Sequence, residues 1–194
     1  MKKILFAALA FVSLTAFVTF NNTWENDDAH SQIQFTVTHL GVSDVSGTFN
    51  DFDVTVQSSK ADFSDAVFEL SAKTASINTR IEARDNHLKS ADFFDAEKFP
   101  TLNFKSTGIT KTGKDKYKLA GNLTLHGVTK PVSVDLTYRG LVENPMSKKQ
   151  TAGFQITGTI KRSDFNVGDK FPAAMVSDEV RIKADGEFTQ AEKK

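Results

Sequence analysis

Residues 117–138 read YKLAGNLTLHGVTKPVSVDLTY, with apolar side chains at alternate positions on both sides of His126-Gly127. A period of two is typical of β-strands that bury one face. Gly127 supplies the positive φ that a tight turn between antiparallel strands requires. Pro131 suits an early position in the second strand. The stretch therefore predicts a β-hairpin.

The same alternation continues outward from this hairpin in both directions. It predicts six further strands, at residues 33–37, 45–56, 66–72, 102–104, 152–160 and 180–188. The second of these changes phase after Phe49, so we expect a bulge or bend there. Eight strands with one apolar face each can bury that face by closing into a barrel, which also removes exposed edges. The predicted fold is an all-β, eight-stranded antiparallel barrel.

Residues 81–96 interrupt the alternation. Ile81, Arg84, Asp85 and Leu88 have the spacing of one face of a short helix, the face we expect to be buried. Ser90 is placed to cap a second turn, and proline ends the segment before residue 101. We therefore predict a short helical plug across one end of the barrel, between the third and fourth strands.

Residues 1–20 form a lysine-headed apolar run that is typical of an export signal peptide. The cleavage site is not fixed by the sequence, and an uncleaved anchor is the alternative. Without the signal the chain has 22 basic and 24 acidic residues, so its net charge of −2 does not favour nucleic acid. We expect a periplasmic or secreted protein without cysteine that is not stably inserted in a membrane after signal removal.

The strand parity places eight apolar side chains on inward faces. Small residues on the same columns, such as Gly47 and Gly121, favour space inside the barrel. The 17 phenylalanines, against one tryptophan and two tyrosines, favour an interior without polar groups. Periodicity alone leaves both a filled core and a ligand cavity open. We predict that one continuous apolar cavity is lined by Phe35, Phe68, Leu70, Phe104, Leu123, Phe154, Ile156 and Ile182.

Five polar residues extend the inward columns or lie on the predicted helix stripe: His39, Arg84, Asp85, Arg162 and Asp164. Buried charges must be paired and hydrogen-bonded, which predicts a network that fastens the plug to the barrel rim. The alternative is a site for a ligand head group, such as a diphosphate held by Arg84 and Arg162.

Catalysis and metal binding find little support in the sequence. There is no cysteine, no Gly-x-Ser-x-Gly elbow and no glycine-rich phosphate loop. The histidines at positions 30, 39, 87 and 126 are dispersed without a His-x-x-x-His pair. We expect no enzyme, no metal and no cofactor other than a bound lipid. The alternatives are a small enzyme with His39, Asp85 and His87 as its polar site, or a stress-related structural barrel.

Several motifs, spread over nearly the whole chain after the signal, resemble the YceI-like family of polyisoprenoid-binding bacterial proteins. They include His30-Ser31-x-Ile33-x-Phe35, Ala83-Arg84-Asp85-x-His87-Leu88-x-Ser90, Gly121-x-Leu123-Thr124-Leu125-His126-Gly127, Arg162-Ser163-Asp164-Phe165 and Ser177-Asp178-Glu179-Val180. The resemblance implies a lipocalin-like barrel around a long apolar cavity and a single domain over residues 24–190. The chain departs from the family pattern at Asn166-Val167, and we expect the loop that contains them, with residues 171–176, to border the cavity mouth.

The resemblance implies a binding protein that sequesters or transports an isoprenoid-type lipid, either an isoprenoid quinone or a polyprenyl phosphate. The partner is then an isoprenoid or another long-chain apolar lipid, and the protein is a monomer or homodimer.

Overall fold

The computed structural model describes residues 22–191. The predicted signal peptide, residues 1–20, lies outside them. The strands are β1 (Asn22–Asn26), β2 (Gln32–His39), β3 (Ser43–Phe49), β4 (Phe52–Ser58), β5 (Val67–Lys73), β6 (Ile77–Asn78), β7 (Thr101–Gly113), β8 (Lys116–Leu125), β9 (Val128–Glu143), β10 (Gln150–Lys161) and β11 (Glu179–Gln190). The helix α1 (Glu82–Lys89) lies between β6 and β7. No helix in this part of the chain is long and apolar enough to cross a membrane.

Eight strands close into a ring in which neighbours are antiparallel. The order is β1-β4-β5-β7-β8-β9-β10-β11, and β11 pairs with β1 to complete it. The predicted eight-stranded antiparallel barrel is therefore confirmed, and so is the plug between its third and fourth predicted strands. The β8–β9 hairpin turns at His126 and Gly127, whose φ angles are 50° and 74°.

The strands that form the ring differ from the prediction in the N-terminal part of the chain, where β1 and β4 belong to the ring and β2 and β3 do not. The predicted strand 45–56 is two strands, β3 and β4, separated at Asn50-Asp51. The sequence pattern did not reveal β1, which pairs with one end of β11 while β2 pairs with the other. Because β11 is 12 residues long, both short strands fit along it. β3 and β6 then extend the sheet beyond β2, and β6 forms its edge.

These pairings give the barrel two halves. We call the end closed by β1 the lower half and the end occupied by α1 the upper half. In the lower half, six aromatic side chains pack on one another, and we call them the aromatic floor: Trp24, Phe63, Phe68, Tyr138, Phe154 and Phe188. The upper half has a separate apolar cluster built from the sheet, α1 and the loop after β10.

The plug presents Leu88, Phe93 and Phe94 to the upper cluster. Ser90 donates its hydroxyl to the carbonyl of His87 and accepts from the amide of Asp92, so it caps the turns after the helix as expected. Ile81 departs from the prediction, because 53% of it is exposed. It precedes the helix in an extended conformation, so its side chain does not share the helix face.

Candidate functional site

The upper half encloses an apolar cavity of about 410 Å³. Its wall combines inward residues of the sheet with the plug and with the loop after β10. The sheet contributes Phe49 and Leu102, the plug contributes Leu88 and Phe94, and the loop contributes Phe171. A volume of this size is within the range of small-molecule sites in proteins, which are also mostly apolar.

A smaller apolar chamber of about 120 Å³ lies below this cavity, against the aromatic floor. Phe68, Phe154 and Phe188 form part of its wall. Five aliphatic side chains line both spaces and so mark their junction: Ile33, Leu70, Leu123, Ile160 and Ile182. The two spaces therefore follow one another along the barrel interior.

All eight predicted cavity residues lie on these walls. Phe35 lines the upper cavity, and Leu70, Leu123 and Ile182 line both spaces. The other four line the lower chamber: Phe68, Phe104, Phe154 and Ile156. Their role in ligand binding stays a prediction.

The inward glycines do not create this space, contrary to our expectation. A Cβ atom at Gly47 would come within 2.5 Å of the Phe35 ring, and one at Gly121 within 2.4 Å of the Phe104 ring. Each glycine thus leaves room for a neighbouring aromatic ring to lie close to the backbone.

Arg162 is the main polar anchor of the upper half. Only 7% of it is exposed, and its five N–H groups donate to five backbone carbonyls, those of Val167, Gly168, Phe171, Val176 and Ser177. A guanidinium has five such donors, so all of them are used within the protein. Arg162 therefore holds the loop after β10 in place, as the structural interpretation of the polar network predicts.

Arg84 and Asp85 both bind Thr79, which is 1% exposed. The Asp85 carboxylate accepts from the Thr79 amide at 2.8 Å and from its hydroxyl at 2.5 Å. Arg84 donates from Nε to the Thr79 hydroxyl oxygen at 2.7 Å and from Nη2 to the Thr79 carbonyl at 2.8 Å. The network thus fastens α1 to the strand end before it. Its bonds run to a hydroxyl and a backbone group, not between Arg84 and a carboxylate.

Two members of the predicted network lie elsewhere. Asp164 is exposed, because a 3-10 helix (Arg162–Phe165) begins at the end of β10 and ends the alternation that would have turned it inward. His39 ends β2 and is also exposed, yet it lies on the wall of the upper cavity. The prediction of an inward Asp164 is therefore wrong, whereas His39 stands at the rim.

The rim of the upper cavity is basic. Among the described residues that line this cavity, the ionisable ones are His39, Arg84, His87 and Arg162, and no carboxylate joins them. Asp92 lies just outside, where the ammonium of Lys170 at 2.5 Å and then the His87 imidazole at 3.4 Å hold the pKa of its carboxyl below its usual range. The interior is thus apolar with hydrogen-bond donors at one end.

The loop after β10 supplies cavity residues that the strand pattern could not identify. Val167, Phe171, Met175 and Val176 lie on the wall, and the Phe171 ring stacks on that of Phe93 at 4.7 Å. We expected residues 171–176 to border the cavity, and Phe171, Met175 and Val176 lie on its wall.

A second cluster of ionisable groups lies outside both spaces. Ligand atoms of Asp27, His30 and Glu187 lie within 4.8 Å of one another, a separation that a metal ion could bridge. Asp27 and His30 are hydrogen-bonded to each other at 2.9 Å, and this bond to Asp27 raises the pKa of His30. Asp27 also caps the short helix that joins β1 to β2. Sequence analysis missed the cluster because Glu187 comes from the last strand.

The residues of the alternative enzyme site do not form one polar centre on the wall. His39 and His87 line the upper cavity, but the Asp85 carboxylate is bound to Thr79, and Asp85 is not among the lining residues.

An eight-stranded barrel around an apolar cavity is the architecture of proteins that hold one small ligand inside. The chain belongs to the YceI-like domain family, whose model matches residues 24–188. UPF0312 protein SA2479 of Staphylococcus aureus strain N315 is 38% identical over 170 residues, which cover 86% of this chain and 96% of that protein.

Solved structures show the same barrel. BcnA of Burkholderia cenocepacia has a TM-score of 0.74 at 27% identity, covering 84% of this chain and 98% of its own. The Campylobacter jejuni YCEI protein has a TM-score of 0.73 at 28% identity, and the match covers 96% of this chain and 100% of that protein. A polyisoprenoid binding domain from Saccharophagus degradans shares the fold at a TM-score of 0.65 and 15% identity, and the match covers 89% of this chain and 100% of that domain.

Proposed function

We propose that this protein is a carrier, not an enzyme, that sequesters or transports an isoprenoid-type lipid in the periplasm or after secretion. The single observation that carries this proposal is the apolar cavity of about 410 Å³ with a basic rim. The fold shared with a domain described as polyisoprenoid binding supports it. The carrier acts as a monomer or homodimer, with the lipid tail inside and the head group at the rim.

The tail provides the affinity in this proposal. Transfer of a CH₂ group from water to an apolar site contributes about 0.8 kcal/mol, so a few isoprene units supply ample binding free energy. The total does not grow without limit, because practical affinities saturate and ordering the tail costs entropy. An apolar wall without carboxylates offers the tail no charged group that would have to be desolvated.

The head group meets Arg84 in this proposal, not Arg162. All five N–H donors of Arg162 are already bound to carbonyls. Arg84 uses Nε and Nη2 for Thr79, and its Nη1 has no hydrogen-bond partner within residues 22–191. His39 and His87 add donors at the same rim. These groups suit a phosphate or the carbonyl oxygens of a quinone.

Extraction of the purified, exported protein tests the carrier function. Native mass spectrometry before and after organic extraction should show the loss of an apolar ligand, and the extracted protein should melt at a lower temperature until prenyl lipid is returned. A ligand that binds only the folded state must stabilise it. Recovery of no lipid, together with an unchanged melting temperature on adding prenyl phosphate or quinone, would overturn the proposal.

The head-group assignment has its own test in Arg84→Gln. The variant should bind a prenyl phosphate about tenfold more weakly, while the prenyl alcohol of the same length binds nearly as before. A general loss of folding would weaken both ligands equally, so the ratio of the two affinities isolates the head group. An unchanged ratio would exclude contact between Arg84 and the phosphate.

A further inference from the structure

We infer that this protein docks reversibly on the surface of a lipid bilayer through an exposed apolar patch at the opening of the upper cavity, and takes its lipid directly from the membrane. We call this surface the mouth patch. It consists of residues 40–42, at the tip of the β2–β3 hairpin, and residues 172–175, in the loop after β10. All seven residues are exposed and none has a polar side chain. The inference rests on the proposed function, because it names the source of the ligand.

The two segments of the mouth patch are joined where the cavity opens. The Leu40 amide donates to the Met175 carbonyl at 2.9 Å, and His39 forms a β-bridge with Val176. His39 and Met175 are exposed to solvent and also line the upper cavity, so the cavity wall reaches the surface here. An apolar surface on the outside of the protein therefore continues into its apolar interior.

The loop segment of the patch is held in place from both sides. Nη2 of buried Arg162 donates to the carbonyls of Phe171 and Val176, which flank residues 172–175. Because these residues are already ordered, contact with a partner costs little further conformational entropy. The patch is thus a preformed surface.

The hairpin segment carries apolar side chains that the fold does not need. Leu40 and Gly41 have φ angles of 51° and 69°, a pair of positive values for which tight turns favour Asn-Gly. Leu40 is 55% exposed and Val42 is 81% exposed, so neither side chain is part of the packed core. Contact with an apolar partner gives both side chains a role, because contiguous exposed apolar residues mark sites of interaction.

Size and position favour a bilayer over a protein as that partner. A specific protein interface has about 20–30 residues on each side, far more than the mouth patch offers. A few apolar side chains are enough for shallow, reversible insertion among lipid head groups. A second copy of the chain on the patch would cover the opening and block loading. A bilayer in the same position supplies the ligand and keeps its tail out of water during transfer.

The opposite end of the barrel provides a matched comparison. The β9–β10 hairpin also carries exposed apolar side chains, those of Leu141, Val142 and Met146. Strand pairing places this hairpin at the lower end, beside the contact between β1 and β11. Its apolar residues are interrupted by Glu143 and Lys148, and none of residues 141–150 lines either internal space. We therefore expect no docking through this hairpin.

Tryptophan substitution at the two hairpins tests the docking. Val42→Trp and Val142→Trp each add an indole at an exposed position, and they share the background of Trp24, the single native tryptophan, which is 5% exposed. The full exported chain is mixed with vesicles of phosphatidylethanolamine and phosphatidylglycerol that contain acyl-brominated lipid and no prenyl lipid. We expect a blue shift and quenching of the emission for Val42→Trp, and no change for Val142→Trp, because an inserted indole lies at the membrane interface. Equal responses from both variants, or no response from Val42→Trp, would overturn the inference.

A polar hairpin tip should slow uptake from membranes without weakening the binding site. Leu40→Asn combined with Val42→Thr keeps the backbone preferences of both positions, so the double variant should fold like the parent. Neither residue lines the cavity. We expect the initial rate of removal of a prenyl alcohol from the same vesicles, without bromine, to fall about tenfold, because less apolar surface enters the bilayer. A short prenyl alcohol added without vesicles should bind as tightly as it does to the parent. An unchanged rate, or an equal loss in both assays, would refute the docking role.

The outcomes separate this inference from the proposed function. If prenyl alcohol binds but vesicles do not quench Val42→Trp, the carrier function stands and the docking is wrong. If vesicles quench Val42→Trp but no prenyl alcohol binds, the contact with the bilayer stands and the carrier function fails, and direct uptake fails with it. Analytical ultracentrifugation covers the remaining occupant: a dimer that becomes a monomer in the double variant, without quenching of Val42→Trp, would assign the patch to a second copy and overturn the inference.

Discussion

The lower half of the barrel is mostly packed and keeps a chamber of only about 120 Å³, whereas the upper half holds a cavity of about 410 Å³, although alternating strands build both. The rings of the aromatic floor pack on one another in the lower half, where Val56, Leu119 and Ala152 have no exposed surface. In the upper half Phe35, Phe94 and Leu88 remain partly exposed around the cavity. The same strand pattern therefore produces a packed core or a ligand space according to what closes each end.

The closing elements differ in kind. At the lower end the loop before β5 turns Phe63 inward, and the ring fills the remaining space. At the upper end the sheet stops at β6, and α1 with the loop after β10 stands over the opening. In the lower half the closing loop is held by ring packing, whereas in the upper half the closing elements combine apolar contacts with hydrogen bonds at Arg162 and Thr79. Four predictions test this division, from the largest expected effect to the smallest.

Arg162→Ala should be the most damaging change. It removes the donors of five carbonyls at once in a buried region, and we expect a loss of about 3–5 kcal/mol in the free energy of unfolding, measured by urea denaturation. Arg162→Lys should recover only part of the lost stability, since an ammonium has three donors and lacks the planar arrangement of the five guanidinium donors. The control Arg181→Ala breaks an exposed ion pair with Asp44 and should leave the free energy of unfolding nearly unchanged. Equal effects of Arg162→Ala and Arg181→Ala would refute the anchoring role.

Phe63→Ala should destabilise the lower half by about 3 kcal/mol, because a large void replaces the ring. The expected cost is the same with and without lipid. Phe94→Ala, its counterpart on the cavity wall, should cost about half as much in the lipid-free protein but should reduce the rise in melting temperature that lipid produces. Thermal unfolding of both variants, with and without prenyl lipid, measures this difference in their response to lipid. The division between halves fails if Phe63→Ala reduces the lipid-induced rise in melting temperature as much as Phe94→Ala does.

Asp85→Ala should cost about 1–3 kcal/mol, because the amide and hydroxyl of buried Thr79 lose their acceptor. Hydrogen exchange should show faster opening of α1 while the β8–β9 hairpin stays protected. The exposed residue Glu82, on the first turn of the same helix, provides the control Glu82→Ala. Uniform loss of protection across the barrel would contradict a local fastening role.

The pH dependence of the Phe63 loop should be the smallest effect. Burial alone would raise the pKa of the Asp65 carboxyl, but hydrogen bonds from Ser58, Ser59 and Lys60 lower it to about 2. Since the folded pKa lies below the usual 3.8, this stabilisation is present above about pH 4 and is lost as the pH falls towards 2. Allowing for solvent screening, we expect about 1 kcal/mol.

Asp65→Asn checks this assignment. The variant should be less stable than the parent at pH 6, and the difference should shrink as the pH is lowered to 2. A difference in the free energy of unfolding that is constant over this range would show that Asp65 acts through its shape and not through its charge.

Much of the barrel could be predicted from the sequence, because side-chain alternation is a local property. The hairpin at His126-Gly127, the closure into eight strands and the plug after β6 all follow from period, turn residues and a proline. The same parity assigned eight residues that lie on the cavity walls. It failed at Asp164, where a turn of 3-10 helix replaced the strand, and at Ile81, which lies just before the helix.

The tertiary structure decided which half is hollow. Strand parity predicts that a side chain points inward, but it does not predict which residues pack against that side chain from the other side of the barrel. Phe63 comes from a loop, and β1 is too short to show a pattern, so the floor could not be located from the sequence. The five carbonyls around Arg162 likewise come from a folded loop. The alternating sequence determined the barrel, whereas long-range packing determined where its interior stays open, because a void depends on distances between elements that are far apart in the chain.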